Sequence, residues 1–389
     1  MEMPKVSVVM SVYNGQPWLS QAVNSILDQS LRALEFVVVD DGSVDGSWET
    51  LESFASQDKR LVLLRNERNL GFARAQNRAI ATARSEFIAC QDQDDVSLPD
   101  RLQRQVDYLE GNPEVGVVAV WPQFMNEHGD FIEPGSFRYE SDSQRLSTLL
   151  LVSYCICGPS IMVRRNWLMG ADPYDPDMRA AEDYDLLPRL SEKTRVANLP
   201  DRLYLYRQHA DSVSHRYRPI QMHNNTAARE AALQRRFGAY PPEDLHVLVS
   251  RGYFRAALVA YGLHRSEEAR RSLCGALRLE PRVSVQSSQA GEELLRYLVN
   301  FPCSDRYAFL ESVFADLLPR NGAMNREKSR ILGMLHMGEV FDGIRDGRPE
   351  ALDRHWLAGV KSDPRWLLNR GVWAVGLRHG VSRLTGRKN

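Results

Sequence analysis

The sequence predicts an α/β domain with a mostly parallel sheet, followed by an all-α domain. In the first half of the chain, short apolar runs rich in β-branched residues alternate with amphipathic helical patterns. Strands that alternate with helices favour a parallel sheet covered by helices on both faces. Beyond residue 218 the patterns are helical, without convincing strand alternation. We therefore expect two domains, residues 1–218 and residues 219–389.

The individual elements follow from periodicity. The first strand is predicted at Val6–Val12, a nearly continuous apolar run of the kind that suits a strand buried on both faces. Later runs predict strands at 35–40, 61–64, 86–90 and 115–120. Apolar residues that fall on one helical face predict helices at 19–27, at 48–54 and at 72–84.

Two stretches of the second domain share one spacing. Their residues are Ala269, Leu273, Ala276 and Pro281 in the first stretch, and Leu352, Trp356, Gly359 and Pro364 in the second. This spacing resembles the second helix of a tetratricopeptide unit. Because two imperfect copies are weak support for a repeat, generic packing of helix pairs is the favoured interpretation.

Composition excludes several classes of protein. The net charge of −1 gives no electrostatic footprint for nucleic acid. The 5 cysteines are odd in number and scattered, which argues against a disulfide framework and for a reducing compartment. No run approaches the roughly 20 apolar residues needed to cross a bilayer. We therefore expect a cytoplasmic protein.

Polar residues follow the predicted strands where each strand ends. Asp40 and Asp41 end the second strand, and 92–95 (Asp-Gln-Asp-Asp) follows the fourth. The carboxyl ends of parallel strands share one edge of a sheet, where ligands bind. Carboxylates that converge there repel each other unless a cation neutralises them. Oxygen ligands favour Mg²⁺ or Mn²⁺. Alternatively, these residues merely cap strands and begin helices, but two clusters at one edge favour the metal site.

These motifs are part of a longer series. The series comprises 8–14 (VVMSVYN), 38–43 (VVDDGS), 69–77 (NLGFARAQN), 92–95 (DQDD) with 98–102 (LPDRL), 181–186 (AEDYDL), and 206–209 (YRQH) with Ser212 and Ser214. In this order they resemble glycosyltransferase family 2, whose members have the GT-A fold. The resemblance covers residues 5–215, and the helical part carries no comparable signature.

The resemblance implies a nucleotide-sugar site. Tyr13 would stack on or flank the donor base, while Asp41, with Asp40 behind it, would bind the base or the ribose. Arg74 corresponds to a residue that holds the nucleotide. Asp92 would point towards the ribose.

The resemblance also implies a metal and a base. Asp94 would bind the divalent metal, Mn²⁺ or Mg²⁺, that bridges the two phosphates, and His209 would be a late metal or phosphate ligand. Asp183 corresponds to the catalytic base. Arg207 is a cation that can share the charge of the departing diphosphate. Taken singly, Asp183 could instead be a helix N-terminal acid and His209 a surface histidine.

The implied reaction needs a single base. A carboxylate that deprotonates the attacking hydroxyl supports direct displacement, which inverts the anomeric centre. We expect a nucleotide-sugar donor, with UDP as its nucleotide, and a glycan, lipid-linked or protein acceptor. One departure from the family pattern is Pro188, which removes a helix donor shortly after Asp183. The alternative function is an inactive scaffold whose helical domain binds a partner, against which the intact acidic residues argue.

The end of the chain allows two interpretations. Large apolar residues between Trp366 and Leu384 alternate with basic residues, and no acidic residue follows Asp363. A basic amphipathic helix of this kind can lie in a membrane interface. The favoured interpretation is that the segment packs onto the helical domain, with peripheral membrane contact as the alternative.

Overall fold

A computed structural model of the chain describes residues 3–133, 137, 139–151, 155–170, 173–238, 241–279, 305–317, 322–346, 348–369 and 371–372. The chain divides into two compact units, Met1–Pro241 and Pro242–Asn389. The first contains an eight-stranded sheet with helices, and the described part of the second is helical. The predicted α/β fold with a helical C-terminal region is confirmed. The predicted domain limits, 1–218 and 219–389, stay a prediction.

The sheet of the first unit is mixed but mostly parallel. Its strands are β1 Val6–Val12, β2 Leu34–Asp40, β3 Leu61–Arg65, β4 Phe87–Cys90, β5 Val96–Ser97, β6 Val115–Met125, β7 Met162–Arg164 and β8 Arg195–Arg207. They lie in the order β3-β2-β1-β4-β7-β6-β8-β5. β1 is parallel to β2 and β4, β2 to β3, and β6 to β8. β7 is antiparallel to both its neighbours, and β5 is antiparallel to β8.

All five strands that we predicted are present, and three more were missed. β5 spans two residues and β7 spans three, which is too short for a periodic signal. β8 spans 13 residues, but its burial does not alternate regularly, so no strand periodicity marks it in the sequence.

Helices cover both faces of the sheet. They are α1 Leu19–Leu27, α2 Ser47–Gln57, α3 Phe72–Thr82, α4 Arg101–Gly111, α5 Ser143–Leu149, α6 Arg165–Gly170, α7 Glu182–Ser191, α8 Val213–Arg216 and α9 Arg218–Phe237. Successive residues of β1 face opposite sides. Val8 packs in a core with α1, α2 and α4, whereas Val9 packs in a second core with α3, α5 and α7. This three-layer arrangement positions the loops at the carboxyl edge of the sheet.

The described part of the second unit consists of helices. They are α10 His246–Gly262, α11 Ser266–Leu279, α12 Arg306–Ser312, α13 Gly322–Arg345 and α14 Pro349–Ser362, with shorter turns between them. α10 packs on α11, and α13 packs on α14. Of the residues singled out in the sequence, Pro281 and the segment 373–384 lie outside the described residues. Among the described helices, none combines the length and apolar character that a bilayer span requires.

Candidate active site

Side chains cross-link the loops that follow β1 and β2. The N–H of Asn14 donates to Ser43 Oγ at 2.9 Å, and Asn14 Oδ1 accepts from the N–H of Val44 at 2.9 Å. Gly42 has a φ of +76°, and a Cβ atom there would lie 2.8 Å from the backbone of Arg68. Only glycine fits this left-handed position against a neighbouring backbone, so the two loops form one fixed surface.

Asp40 and Asp41 lie at the end of β2, and both are buried. Asp41 accepts a hydrogen bond from Asn66 Nδ2 at 2.7 Å. It also accepts from the N–H groups of Leu70 at 3.0 Å and Gly71 at 2.9 Å. Oδ1 of Asp40 is buried without a hydrogen-bond partner among the described residues. Asp41 therefore shapes the loop that leads into α3, and the predicted donor contacts of both aspartates stay predictions.

Tyr13 and Arg74 lie on the rim of this surface. Tyr13 is 44% exposed, and its backbone is clamped by the side-chain amide of Gln93. Gln93 Oε1 accepts from the Tyr13 N–H at 2.8 Å, while Gln93 Nε2 donates to the Tyr13 carbonyl at 3.2 Å. Arg74 is exposed in the first turn of α3 and forms no ion pair with the described residues. Both side chains are therefore available to a ligand.

Three aspartates in the loop after β4 lie close together. Carboxylate oxygens of Asp92, Asp94 and Asp95 all lie within 4.8 Å of one another. Burial raises the pKa of Asp92 well above its ordinary value, and the charges of Asp94 and Asp183 raise it further. Burial followed by the charges of Asp94 and Asp92 likewise raises the pKa of Asp95.

This cluster fits a divalent cation. Oδ2 of Asp95 is buried and has no hydrogen-bond partner among the described residues. A buried acceptor without a donor, beside carboxylates that repel each other, marks a position where positive charge is favourable. The three aspartates offer only carboxylate oxygens as ligands. Such ligands favour Mg²⁺ or Mn²⁺ over a softer metal.

His209 is brought to this cluster by β8. Its Nε2 atom lies 2.8 Å from Oδ2 of Asp94, and its side chain is 7% exposed. The ring of Trp18 packs against the imidazole with centroids 4.2 Å apart. The Nδ1 atom is buried and has no partner among the described residues. The two predicted metal ligands therefore lie side by side.

Arg207 is hydrogen-bonded to residues 92–95, which we call the acidic loop. It is 3% exposed, and its Nε donates to the carbonyl of Asp94 at 2.8 Å. Its backbone N–H donates to Asp95 Oδ1 at 2.7 Å, and Nη2 donates to Gln21 Oε1 at 2.7 Å. These contacts fix the position of the cluster. The predicted role of Arg207 towards the diphosphate stays a prediction.

Asp183 lies in the first turn of α7. The N–H of Tyr184 donates to its Oδ1 at 2.9 Å. Burial raises the pKa of Asp183 from 3.8 to about 6. A small pocket beside it is otherwise lined mainly by apolar side chains: Leu150, Cys155, Ile156, Tyr184, Leu187 and Pro188. A carboxylate in such surroundings is ionised near neutral pH, yet basic enough to accept a proton.

Two further residues, Glu182 and Gly158, lie close to Asp183. Glu182 is 9% exposed, and burial raises its pKa to about 7. Gly158 lies against Asp183, since a Cβ atom there would be 2.4 Å from Asp183 Oδ2. The motif 181–186 contains Glu182, but nothing local to Gly158 indicates its contact with α7.

Arg101 belongs to the motif 98–102 but was not assigned a site role from the sequence. Its side chain is fully buried, and its guanidinium donates to the carbonyl of Cys90 at 2.7 Å, to Ser97 Oγ at 2.7 Å and to the carbonyl of Pro159 at 3.3 Å. It also lies over the Tyr204 ring, 4.9 Å from the centroid. Arg101 therefore places an internal positive charge behind the acidic loop. Its place within the motif 98–102 is the signal that could have identified it.

Pro188 does not end the helix that carries Asp183 in its first turn. α7 extends from Glu182 to Ser191 with Pro188 in its interior. The N–H of Asp185 donates to the Ala181 carbonyl at 3.1 Å, so the first turn is regular. Proline can supply no N–H to the carbonyl four residues earlier. The departure from the family pattern therefore leaves the first turn, with Asp183, intact.

Comparisons with known proteins identify the family of the chain. The model of the family described as glycosyl transferase family 2 matches residues 7–169. The amylovoran biosynthesis glycosyltransferase AmsE of Erwinia amylovora is 30% identical over 213 residues, which cover 54% of this chain and 79% of AmsE. The putative glycosyltransferase EpsE of Bacillus subtilis is 28% identical over 279 residues, which cover 69% of this chain and 94% of EpsE.

Two further matches differ in coverage. A glycosyltransferase of Methanocaldococcus jannaschii is 30% identical over 190 residues, but the matched part spans only 64% of that relative and 48% of this chain. The structure of Staphylococcus aureus TarS 1–349 in complex with UDP matches with a TM-score of 0.51 at 14% identity, covering 92% of this chain and 91% of that chain. At this identity the likeness shows the fold alone.

Proposed function

Because the chain belongs to glycosyl transferase family 2, we propose that it transfers a sugar from a nucleoside-diphosphate sugar to an acceptor hydroxyl, with inversion at the anomeric carbon. The observation that carries the proposal is the convergence of the acidic cluster and Asp183. Asp183 lies near enough to Asp92 for its charge to raise the pKa of that carboxyl group. A metal-bound diphosphate and a base on the acceptor side need such an arrangement.

In this proposal the acidic loop holds the donor phosphates. Asp94 and His209 would hold a divalent cation, with Asp92 directed to the ribose. A bound Mg²⁺ or Mn²⁺ supplies positive charge to the diphosphate that departs. Arg207 adds a fixed positive charge from behind the loop, 2.8 Å from the carbonyl of Asp94.

The nucleotide would lie along the exposed rim. Tyr13 offers a half-exposed ring to the base. Arg74 has no ion pair with the described residues, and its guanidinium can donate to a phosphate or ribose oxygen. Asp41 holds the loop between them, with Asp40 beneath it. Asp41 would accept a hydrogen bond from the base or the ribose in addition to those that it accepts from Asn66, Leu70 and Gly71.

Asp183 would act as the general base. With a pKa raised to about 6 by burial, it is mostly ionised at pH 7. It would take the proton from the acceptor hydroxyl while the oxygen attacks the anomeric carbon from the face opposite the diphosphate. A single base suffices for this displacement, and the configuration inverts.

The donor that we propose is a UDP-sugar, and the acceptor a glycan, lipid-linked or protein hydroxyl. The structural neighbour TarS was solved with UDP. Two relatives are named for biosynthesis of amylovoran and of teichuronic acid, the latter, TuaG of Bacillus subtilis, at 35% identity over 106 residues. These names favour an acceptor that is a growing surface polysaccharide.

A panel of sugar nucleotides tests the proposal. Purified full-length chain is incubated with each donor, with Mn²⁺ and with EDTA, and release of the nucleoside diphosphate is measured with and without glycan acceptors. We expect one donor to be consumed only with the metal present. Absence of turnover and of nucleotide binding across the panel would instead favour the inactive scaffold.

A further inference from the structure

The side chain of Asn77 bonds to the backbone of a residue far away in sequence. Asn77 Nδ2 donates to the carbonyl of Tyr174 at 2.7 Å, and Asn77 Oδ1 accepts from the N–H of Tyr174 at 2.8 Å. Both backbone groups of one residue are thereby held by one side-chain amide. Asn77 lies on α3, one helical turn after Arg74, so the two residues are neighbours on this helix.

Three further contacts hold Tyr174 and its neighbour Pro173. It is 4% exposed, and its hydroxyl lies 3.5 Å from Sγ of Cys90 at the end of β4. Its ring meets Phe72 of α3 edge to face, with centroids 5.5 Å apart. The carbonyl of Pro173 accepts from Arg189 Nη2 of α7 at 3.3 Å. Residues 173 and 174 are thus held between α3 and α7.

A short chain of turns connects this anchor to the candidate base. The N–H of Met178 donates to the Asp175 carbonyl at 3.1 Å, and the N–H of Ala181 donates to the Met178 carbonyl at 2.8 Å. Ala180 has a φ of +63° and is buried. A non-glycine residue keeps this strained conformation only where its surroundings fix it. The anchor at Tyr174 is one end of that fixed segment, and the first turn of α7, with Asp183, is the other.

We infer that Asn77 is a positioning residue that ties the segment 173–181, and through it Asp183, to the helix that carries Arg74. The inference rests on the proposed function for the roles of Asp183 and Arg74. Asn77 itself touches no reacting atom. It fixes the distance between the donor side and the acceptor side of the site, and displacements of about 1 Å in such a site cost on the order of 100-fold in rate.

The test compares Asn77→Ala and Asn77→Asp with a matched control, Thr82→Ala. Thr82 lies on the same helix, and among the described residues its hydroxyl bonds only to the Arg78 carbonyl within that helix. Aspartate at position 77 can still accept from the Tyr174 N–H but can no longer donate to its carbonyl. The three chains are studied at full length with two measurements: hydrogen exchange of peptides that cover 173–181, and transfer kinetics together with calorimetric titration of UDP in Mn²⁺.

We expect exchange at 173–181 to be about 10-fold faster in Asn77→Ala than in the control. We expect kcat to fall about 10- to 100-fold, with the UDP dissociation constant unchanged within about twofold. Asn77→Asp should also show faster exchange and a lower kcat, because one carboxylate oxygen would face the Tyr174 carbonyl oxygen without a proton to donate. Wild-type exchange and wild-type kcat in Asn77→Ala would overturn the inference. So would a loss of UDP binding in proportion to the loss of kcat, because Asn77 would then be a donor-binding residue.

The two measurements also separate this inference from the proposed function. If the wild-type chain turned over no donor, the proposed function would fail, and the exchange experiment alone would still decide whether Asn77 holds the segment. If transfer occurred and Asn77→Ala left both exchange and kcat unchanged, only the positioning role would fail.

Discussion

Nε2 of His209 lies 2.8 Å from Oδ2 of Asp94 across 115 residues of sequence. The sheet produces this contact, because β5 pairs antiparallel with β8 so that Val96 lies opposite Leu205. Extending that register brings the residues before β5 beside those that end β8. The late histidine is therefore held at the acidic loop by strand pairing, and its role as a metal ligand stays a prediction.

Replacing Asp94 by Asn should abolish metal-dependent transfer. Asparagine keeps the shape and can still bond to His209, but it removes the negative charge that a divalent cation needs. Loss of metal assistance is worth several kcal/mol, so we expect turnover to fall by roughly 10³-fold and the affinity for Mn²⁺ in calorimetry to drop. Asp107→Asn, at an exposed position of α4, is the control. Undiminished activity of Asp94→Asn in EDTA would contradict the metal role.

Replacing Asp183 by Asn should remove the base while preserving donor binding. The substitution is nearly isosteric but cannot accept a proton. General-base catalysis contributes about 10²- to 10⁴-fold, so kcat should fall by that factor. Binding of UDP with Mn²⁺, measured by calorimetry, should stay within about twofold of wild type. Asp107→Asn alters an exposed aspartate of α4 and should leave both quantities unchanged. Loss of UDP binding in Asp183→Asn would instead assign Asp183 to the nucleotide site.

The pH dependence of transfer should show the raised pKa of Asp183. The base acts in its ionised form, so activity is present above its pKa and is lost as the pH falls through it. Because burial raises that pKa from 3.8 to about 6, kcat/KM should fall about tenfold per pH unit below pH 6. The profile is measured between pH 4.5 and pH 9, over the range in which circular dichroism shows the chain folded. A flat profile down to pH 4.5 would rule out a base with this pKa.

Replacing Gly158 by Ala should displace the base without touching it chemically. The new methyl group would lie 2.4 Å from Asp183 Oδ2, so the carboxylate must move. We expect kcat to fall about 10- to 100-fold, with a loss of unfolding free energy of about 1–3 kcal/mol from overpacking in urea denaturation. Gly111→Ala is the control, since a Cβ atom there has no heavy atom within 4 Å. Wild-type kcat in Gly158→Ala would show that the base position tolerates the shift.

The sequence by itself determined the central sheet and the nature of its carboxyl edge. β1, β2 and β4 are buried on both faces, so each is a nearly continuous apolar run that ends abruptly in polar residues. This pattern is local and needs no knowledge of distant contacts. It predicts the two acidic clusters, and the order of the motifs predicts the family.

Tertiary structure alone decided how the polar residues are used. Asp41 and Arg207 are charged residues at predicted site positions, yet both are almost fully buried and hydrogen-bonded to loops of the same domain. The partners of Asp41 lie 25 to 30 residues away and those of Arg207 up to 186. Burial raises the pKa of Asp183 because α7 packs its first turn beside the apolar pocket next to Gly158. Hydrogen bonds and desolvation depend on which groups lie close together in the folded chain. The periodicity of the sequence does not show which distant residues become neighbours.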